Sequence, residues 1–189
     1  TGQLANIGHL CSHPNFTLLR KRVEDLEDQE GTYDYVLHLA SRPAPDDYRE
    51  HPVETALANS LGSYRVLELA RRCNAVVLFA SSSEVYGQAE MVPTPESYWG
   101  RVNLLGPRGC YDEGKRFGEA LFMSYHREYS VDVKIARIFN TYGPRLRADG
   151  SYGRALSRFI VQSLTGDDVT VHGDGCQTRS FCYVTDTVV

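Results

Sequence analysis

The sequence predicts an α/β fold, a doubly wound parallel sheet with a small C-terminal lobe, and three observations predict it. Compact apolar runs recur at wide intervals. Long segments with apolar residues at helical spacing stand between them. The second run ends in a cluster of hydroxyls and a carboxylate, where a sheet of this kind presents its ligand-binding edge. In chain order, Tyr35 to Ala40 and Ala75 to Ala80 read as strands buried on both faces, and Val131 to Ala136 supplies a third. Between the first two, Val53, Leu57, Leu61, Tyr64, Leu67 and Leu69 mark one helix from Val53 to Arg72. Phe117, Leu121, Met123 and Tyr125 mark another from Gly109 to Tyr129. From Tyr142 onward the pattern changes to a helix near Arg154 to Leu164, a short strand Val169-Thr170-Val171 and a Gly173-Asp174-Gly175 turn. The division expected is a core over 1–137 and a partial second lobe over 138–189.

Composition narrows the function classes. Lys+Arg number 20 against Asp+Glu 24, a net charge of -4 without a basic block, which argues against a general nucleic-acid surface and leaves room for a local phosphate site. No apolar run approaches the roughly 20 residues of a membrane-spanning helix, and the first residues lack a signal-peptide pattern. The five cysteines, odd in number and without CxxC spacing, fit reduced thiols, so the expected compartment is cytoplasmic. His9, Cys11 and His13 lie close together, but no fourth ligand is near and no metal site is expected.

The chemistry gathers at Tyr111-Asp112-Glu113-Gly114-Lys115. Residues four apart share a helix face, so the Tyr111 hydroxyl and the Lys115 ammonium can address one point. A nearby cation favours the phenolate, which makes Tyr111 a usable acid/base, although Tyr and Lys are also common on helix surfaces. Ser81-Ser82-Ser83-Glu84 follows the second strand at the edge where such chemistry is expected. His38, inside an apolar run, reads as a packed, hydrogen-bonded core histidine.

On these residues, and on His38-Leu39-Ala40-Ser41, Asn59 within Ala58 to Gly62, Ala80 to Gly87, Tyr98-Trp99-Gly100, Gly106 to Arg116, Ala136 to Arg145 and Gln177 to Phe181, the chain resembles the extended short-chain dehydrogenase/reductases. Within them it is most similar to the UDP-glucuronate decarboxylases. The resemblance implies a Rossmann-like sheet and NAD as cofactor, with Leu39, Ala40, Ser41, Asn59, Ser81, Tyr111, Lys115 and Ile138 around it. It implies Ser82, Glu84, Tyr111, Lys115 and Arg179 as catalytic residues, and Arg108, Asn140, Arg145 and Arg179 on a UDP-sugar. Arg179 has a surface salt bridge as its alternative, and Arg145 solvation in a loop. The related sugar 4,6-dehydratases carry an acid-acid pair where this chain has Ser83-Glu84, and 4-epimerases generally lack the glutamate, so Ser83-Glu84 fits the decarboxylases. The resemblance also implies a homodimer built on the two long helices. One departure stands out: no GxxGxxG occurs in the chain, so the phosphate turn of the first βαβ unit is absent, and the fold is expected to be truncated at both ends. The competing readings are another nucleotide-sugar epimerase or dehydratase, and a non-catalytic fragment that retains a sugar-nucleotide pocket.

Overall fold

The computed structural model describes residues 3–27, 29–148 and 154–189. The three apolar runs become β1 (Tyr35–His38), β2 (Val76–Ser82) and β3 (Val133–Ile138), all parallel, in the order β1-β2-β3. Tyr35 pairs with Val76 and Val77 with Val133. The first crossover holds α1 (Pro45–Glu50), α2 (Pro52–Asn59) and α3 (Leu61–Cys73), and the second holds α4 (Gly109–Tyr129). Pro45 and Pro52 open their helices, where the missing N–H has no helical partner to lose. α3 closes on Asn74 in the left-handed region (φ 52°), whose N–H reaches the Ala70 and Arg71 carbonyls.

Two expectations change. The single helix foreseen from Val53 to Arg72 is broken at Ser60, where the side chains of Ser60 and Ser63 bond the carbonyls of Ala56 and Asn59 four residues back, contacts that bend a helix. The first strand is also not covered on both faces, although the second has no exposed residue. Tyr35 and Leu37 are 72% and 61% exposed, while His38 is buried. Right-handed crossovers that step the same way across a sheet lay their helices on one face, and α3 and α4 pack there. The core between the layers is built on Val66, Leu67, Ala70, Val77, Phe79, Phe122, Tyr125 and Val131.

After β3 come β4 (Asn140–Tyr142), α5 (Ala155–Thr165), β5 (Phe181–Tyr183) and α6 (Val184–Val188), with β4 and β5 parallel. The strand foreseen at Val169 to Val171 does not form. Gln162 of α5 clasps Thr170 instead, its amide donating to Thr170 Oγ1 (2.7 Å) and its oxygen accepting from the Thr170 N–H (3.3 Å). The glycine turn is present, with Gly173 and Gly175 at φ 72° and 75°.

His38 is the core residue its apolar run foretells: 2% exposed, tilted against Phe79 at 5.4 Å, with Nε2 3.1 Å from Ser63 Oγ. Burial, then the positive charge of Lys115, push its pKa from 6.5 to about 4. The unfolded chain therefore takes up this proton first, and stability is lost as pH falls from about 6.5 towards 4, by about 2–3 kcal/mol. Asp112, pushed up to about 6 by burial, works in the opposite sense: its contribution is lost as pH rises through about 6. Urea unfolding at pH 7 and 4.5 separates the two, since the acid loss is expected to shrink in His38→Gln and to persist in Asp112→Asn.

Candidate active site

The carboxyl ends of β1, β2 and β3 open into a cleft of about 460 Å³. Leu39 and Ser41 enter it after β1, Ala80 to Glu84 from the end of β2, Tyr111 and Lys115 from α4, and Ile138 and Asn140 around the end of β3. Tyr111 and Lys115, one helical turn apart, are both buried. Ser82 and Tyr111 line the same cleft, where the Ser82 hydroxyl favours ionisation of the phenol. Lys115 Nζ does not meet the Tyr111 hydroxyl. It donates to the Ala80 carbonyl at 2.7 Å and lies 5.8 Å from the Tyr111 ring centre, because a buried ammonium takes the acceptor that the strand end offers.

Burial is the largest influence on this pair. It pushes Tyr111 above the usual phenol range, against the opposing pull of the Ser82 hydrogen bond and the positive charge of Arg154, and it pushes Lys115 down to about 8. The Tyr111 ring stacks on that of Tyr48 (centres 5.3 Å apart, planes at 10°), and the buried Tyr48 hydroxyl has no partner among the described residues. At the other wall Glu84 is ion-paired with Arg108, whose Nε stands 3.5 Å from Asp112 Oδ2.

The remaining expected site residues divide. Asn140 lines the cleft while its amide donates to the Ser180 carbonyl (3.1 Å), and Arg179 lines it while donating to the Thr178 carbonyl (2.7 Å). Ser81 lies at the rim, but its hydroxyl donates to Glu119 at 2.5 Å. Asn59 is fully buried behind the cleft, where its amide donates to Ser41 Oγ (3.0 Å) and to the Thr55 carbonyl (2.9 Å); it positions Ser41 from behind. Ala40 is not in the lining. Arg145 stands outside the cleft, in the left-handed region (φ 67°), with its guanidinium donating to the Asn6 carbonyl at 2.9 Å. Motif reading missed Tyr48 and Arg154, both in the lining. The one signal for Tyr48 is its place just after the carboxyl end of β1; for Arg154, it is the step into α5. At the amino end, Cys11 Sγ donates to the Ile7 carbonyl and His13 Nδ1 accepts from the Asn15 N–H. Among the described residues no group of three His, Cys, Asp or Glu is placed to hold a metal ion. No helix among them is long and apolar enough to cross a membrane.

The NAD dependent epimerase/dehydratase family matches residues 9–189. UDP-glucuronic acid decarboxylase 5 of Arabidopsis thaliana is 47% identical over 188 residues, which is all of this chain and 54% of that protein. UDP-glucuronic acid decarboxylase 1 of Xenopus tropicalis is 45% identical over the same length and 44% of its own. The chain thus spans about half the length of the curated relatives it matches. Among solved structures, a UDP-glucuronic acid 4-epimerase from Bacillus cereus in complex with NAD superposes with a TM-score of 0.82 at 29% identity, over 98% of this chain and 57% of that one. A UDP-N-acetylglucosamine 4-epimerase from Methanobrevibacter ruminantium M1 gives 0.85 at 30%, over 97% and 58%. The cleft fits the nicotinamide-ribose end of such a cofactor: it runs along the carboxyl ends of parallel strands, is walled by the apolar Leu39 and Ile138, and offers Ser41, Tyr111 and Lys115 as hydrogen-bonding groups. With a Rossmann-like parallel sheet and a match over nearly its whole length, the chain belongs to the NAD-dependent epimerase/dehydratase family.

Proposed function

We propose that this chain carries the reaction centre of an NAD-dependent decarboxylation of UDP-glucuronate to UDP-xylose, with residues 1–137 as the cofactor side and 138–189 as part of the sugar-nucleotide side. The observation that supports it best is identity of 45–48% along the whole chain to proteins named UDP-glucuronic acid decarboxylase. Ser83-Glu84 at the cleft mouth, in place of an acid-acid pair, agrees with that reading.

Bound NAD supplies a hydride acceptor at C4 of the sugar and returns the hydride at the end, so the overall reaction is redox-neutral. The Tyr111 phenolate takes the C4 hydroxyl proton, with Lys115 as the adjacent cation and the Ser82 hydroxyl as hydrogen-bond donor. Once C4 is a carbonyl, the C5 carboxylate is β to it. The C–C electron pair then moves into the carbonyl as CO2 leaves, and Ser82 and Tyr111 hold the enolate oxygen by hydrogen bonds. Glu84 orients the sugar or a water near C5, and Arg179 faces the carboxylate and serves reprotonation. Arg108 and Asn140 serve the diphosphate and uridine. The exposed Val53, Leu57, Leu61, Tyr64 and Phe117 on α2, α3 and α4 support a homodimer formed through these helices.

Incubation of the full-length protein with UDP-glucuronate, followed by NMR and CO2 release, tests the reading. The expected result is CO2 and UDP-xylose in equal amounts without accumulation of NADH. A C4 epimer that retains its carboxylate, as sole product, overturns it in favour of an epimerase. Tight UDP binding with no NAD binding and no turnover overturns it in favour of a non-catalytic sugar-nucleotide binder.

A further inference from the structure

Two consecutive residues at the end of β2 are tied to two consecutive turns of α4, and the next shares the cleft with a residue of a third turn. The Ala80 carbonyl receives Lys115 Nζ at 2.7 Å, Ser81 Oγ donates to Glu119 Oε1 at 2.5 Å, and the Ser82 hydroxyl acts on that of Tyr111 in the cleft they both line. Residues 111, 115 and 119 lie four apart, so they form a single stripe on the helix. The Glu119 carboxylate holds more than the serine. Ser81 and Arg137 are register partners across β2 and β3, and Arg137 grips the same carboxylate with both arms of its fork, Nε to Oε1 at 2.9 Å and Nη2 to Oε2 at 2.7 Å. The other terminal nitrogen, Nη1, donates to Tyr86 Oη and to the Glu96 carbonyl, both at 2.9 Å.

We propose that Glu119 is a positioning residue: by clamping the cross-strand pair Ser81 and Arg137 to α4, it sets the height at which Ser82 meets Tyr111. This rests on the roles given to Ser82 and Tyr111 above. An ion pair that served the fold alone would need only Arg137. The serine hydroxyl adds a tie at the residue next to the one that acts on Tyr111, and the carboxylate that receives it sits on the helix that carries Tyr111. With the tie cut, the end of β2 can shift along the helix, the Ser82 hydroxyl moves away from that of Tyr111, and the phenolate loses its support. The other groups that act on the Tyr111 hydroxyl are Arg154, Glu84 and Asp112, and Ser81→Ala leaves all three in place.

The test uses the full-length protein and reads Tyr111 directly, by ultraviolet titration of tyrosinate taken as the difference from the same protein carrying Tyr111→Phe. Ser81→Ala is expected to move the Tyr111 titration upward by about one pH unit and to lower kcat about tenfold near neutral pH. KM is expected to stay within about twofold and the unfolding midpoint nearly unchanged, since the grip of Arg137 on Glu119 remains. Ser81→Thr, which keeps the hydroxyl, is expected to restore the titration. Arg137→Lys, which keeps the charge and loses the fork, is expected to move it in the same direction by less, and it serves where Ser81→Ala fails to fold. An unmoved titration in Ser81→Ala overturns the proposal, as does a fall in stability alone in both variants. The titration requires no substrate, so a protein that leaves UDP-glucuronate untouched would overturn the functional reading without deciding the clamp.

Discussion

Tyr111→Phe in the full-length protein is expected to lower kcat by about 10²- to 10⁴-fold, the usual contribution of a positioned general base, with UDP affinity within about twofold of the parent. The reason for so selective a loss is in the packing. Phenylalanine keeps the ring that stacks on Tyr48 and fills the same buried space, so only the hydroxyl disappears. Steady-state kinetics with UDP-glucuronate, beside calorimetric titration with UDP, separate the two quantities. The parent's rate should rise with pH to about 8 and then level off, because the active pair, a Tyr111 phenolate beside a Lys115 ammonium, holds one proton between the two groups and reaches its full population once the first proton has left. Activity in Tyr111→Phe within about threefold of the parent would show that another group takes the proton.

Gly118→Val should be strongly destabilising. A Cβ at Gly118 would lie 2.4 Å from Phe79 Cζ and 2.8 Å from Cε1. That ring has nowhere to go: it is fully buried, packed on Phe122 at 4.8 Å, and roofed by the Lys115 ammonium 4.8 Å from its centre. Overpacking a core costs about 1–3 kcal/mol. The gain from replacing a helical glycine is at most about 1 kcal/mol with alanine and smaller with a β-branched residue, so the clash wins. A clear drop in the urea midpoint is expected, together with reduced activity, since Phe79 supports Lys115. Gly8→Ala is the control, because its Cβ meets only the Leu4 carbonyl at an ordinary 3.5 Å. Equal midpoints for Gly118→Val and the parent would show that the core yields more readily than this geometry allows.

What could be read from the sequence was what depends on near neighbours. Tyr111 with Lys115, and the hydroxyls and carboxylate that close β2, follow from helical spacing and from the position of a strand end. Both come to the cleft. The break at Ser60 was not legible, because a serine side chain that turns back to a carbonyl leaves the apolar spacing unchanged. Nor can an apolar run reveal that only one face of β1 is packed by α3, since Leu37 and Val36 look alike until the helices are placed. Motif membership says that a residue is near the site, not where its side chain points. Asn59 stands behind Ser41, and Arg145 turns to Asn6. The clasp of Gln162 on Thr170, and the arrival of Tyr48 and Arg154 at the cleft, depend on tertiary placement that no local pattern encodes.

The parallel register has a consequence for how the molecule comes together. β1 meets β2 across about forty residues and β2 meets β3 across more than fifty, and a parallel ladder cannot zip up from a tight turn as a hairpin does. Loop-closure entropy must therefore be met before any ladder hydrogen bond forms, which places this topology among the slower-assembling ones. The central strand waits longest, for both crossovers must collapse before it is flanked. During synthesis, which runs from the amino end, Ser82 leaves the ribosome well before Tyr111 and longer still before β3. The cleft is thus among the last parts of this chain to become native, and until it does the apolar edges of β2 are open to pairing with other chains.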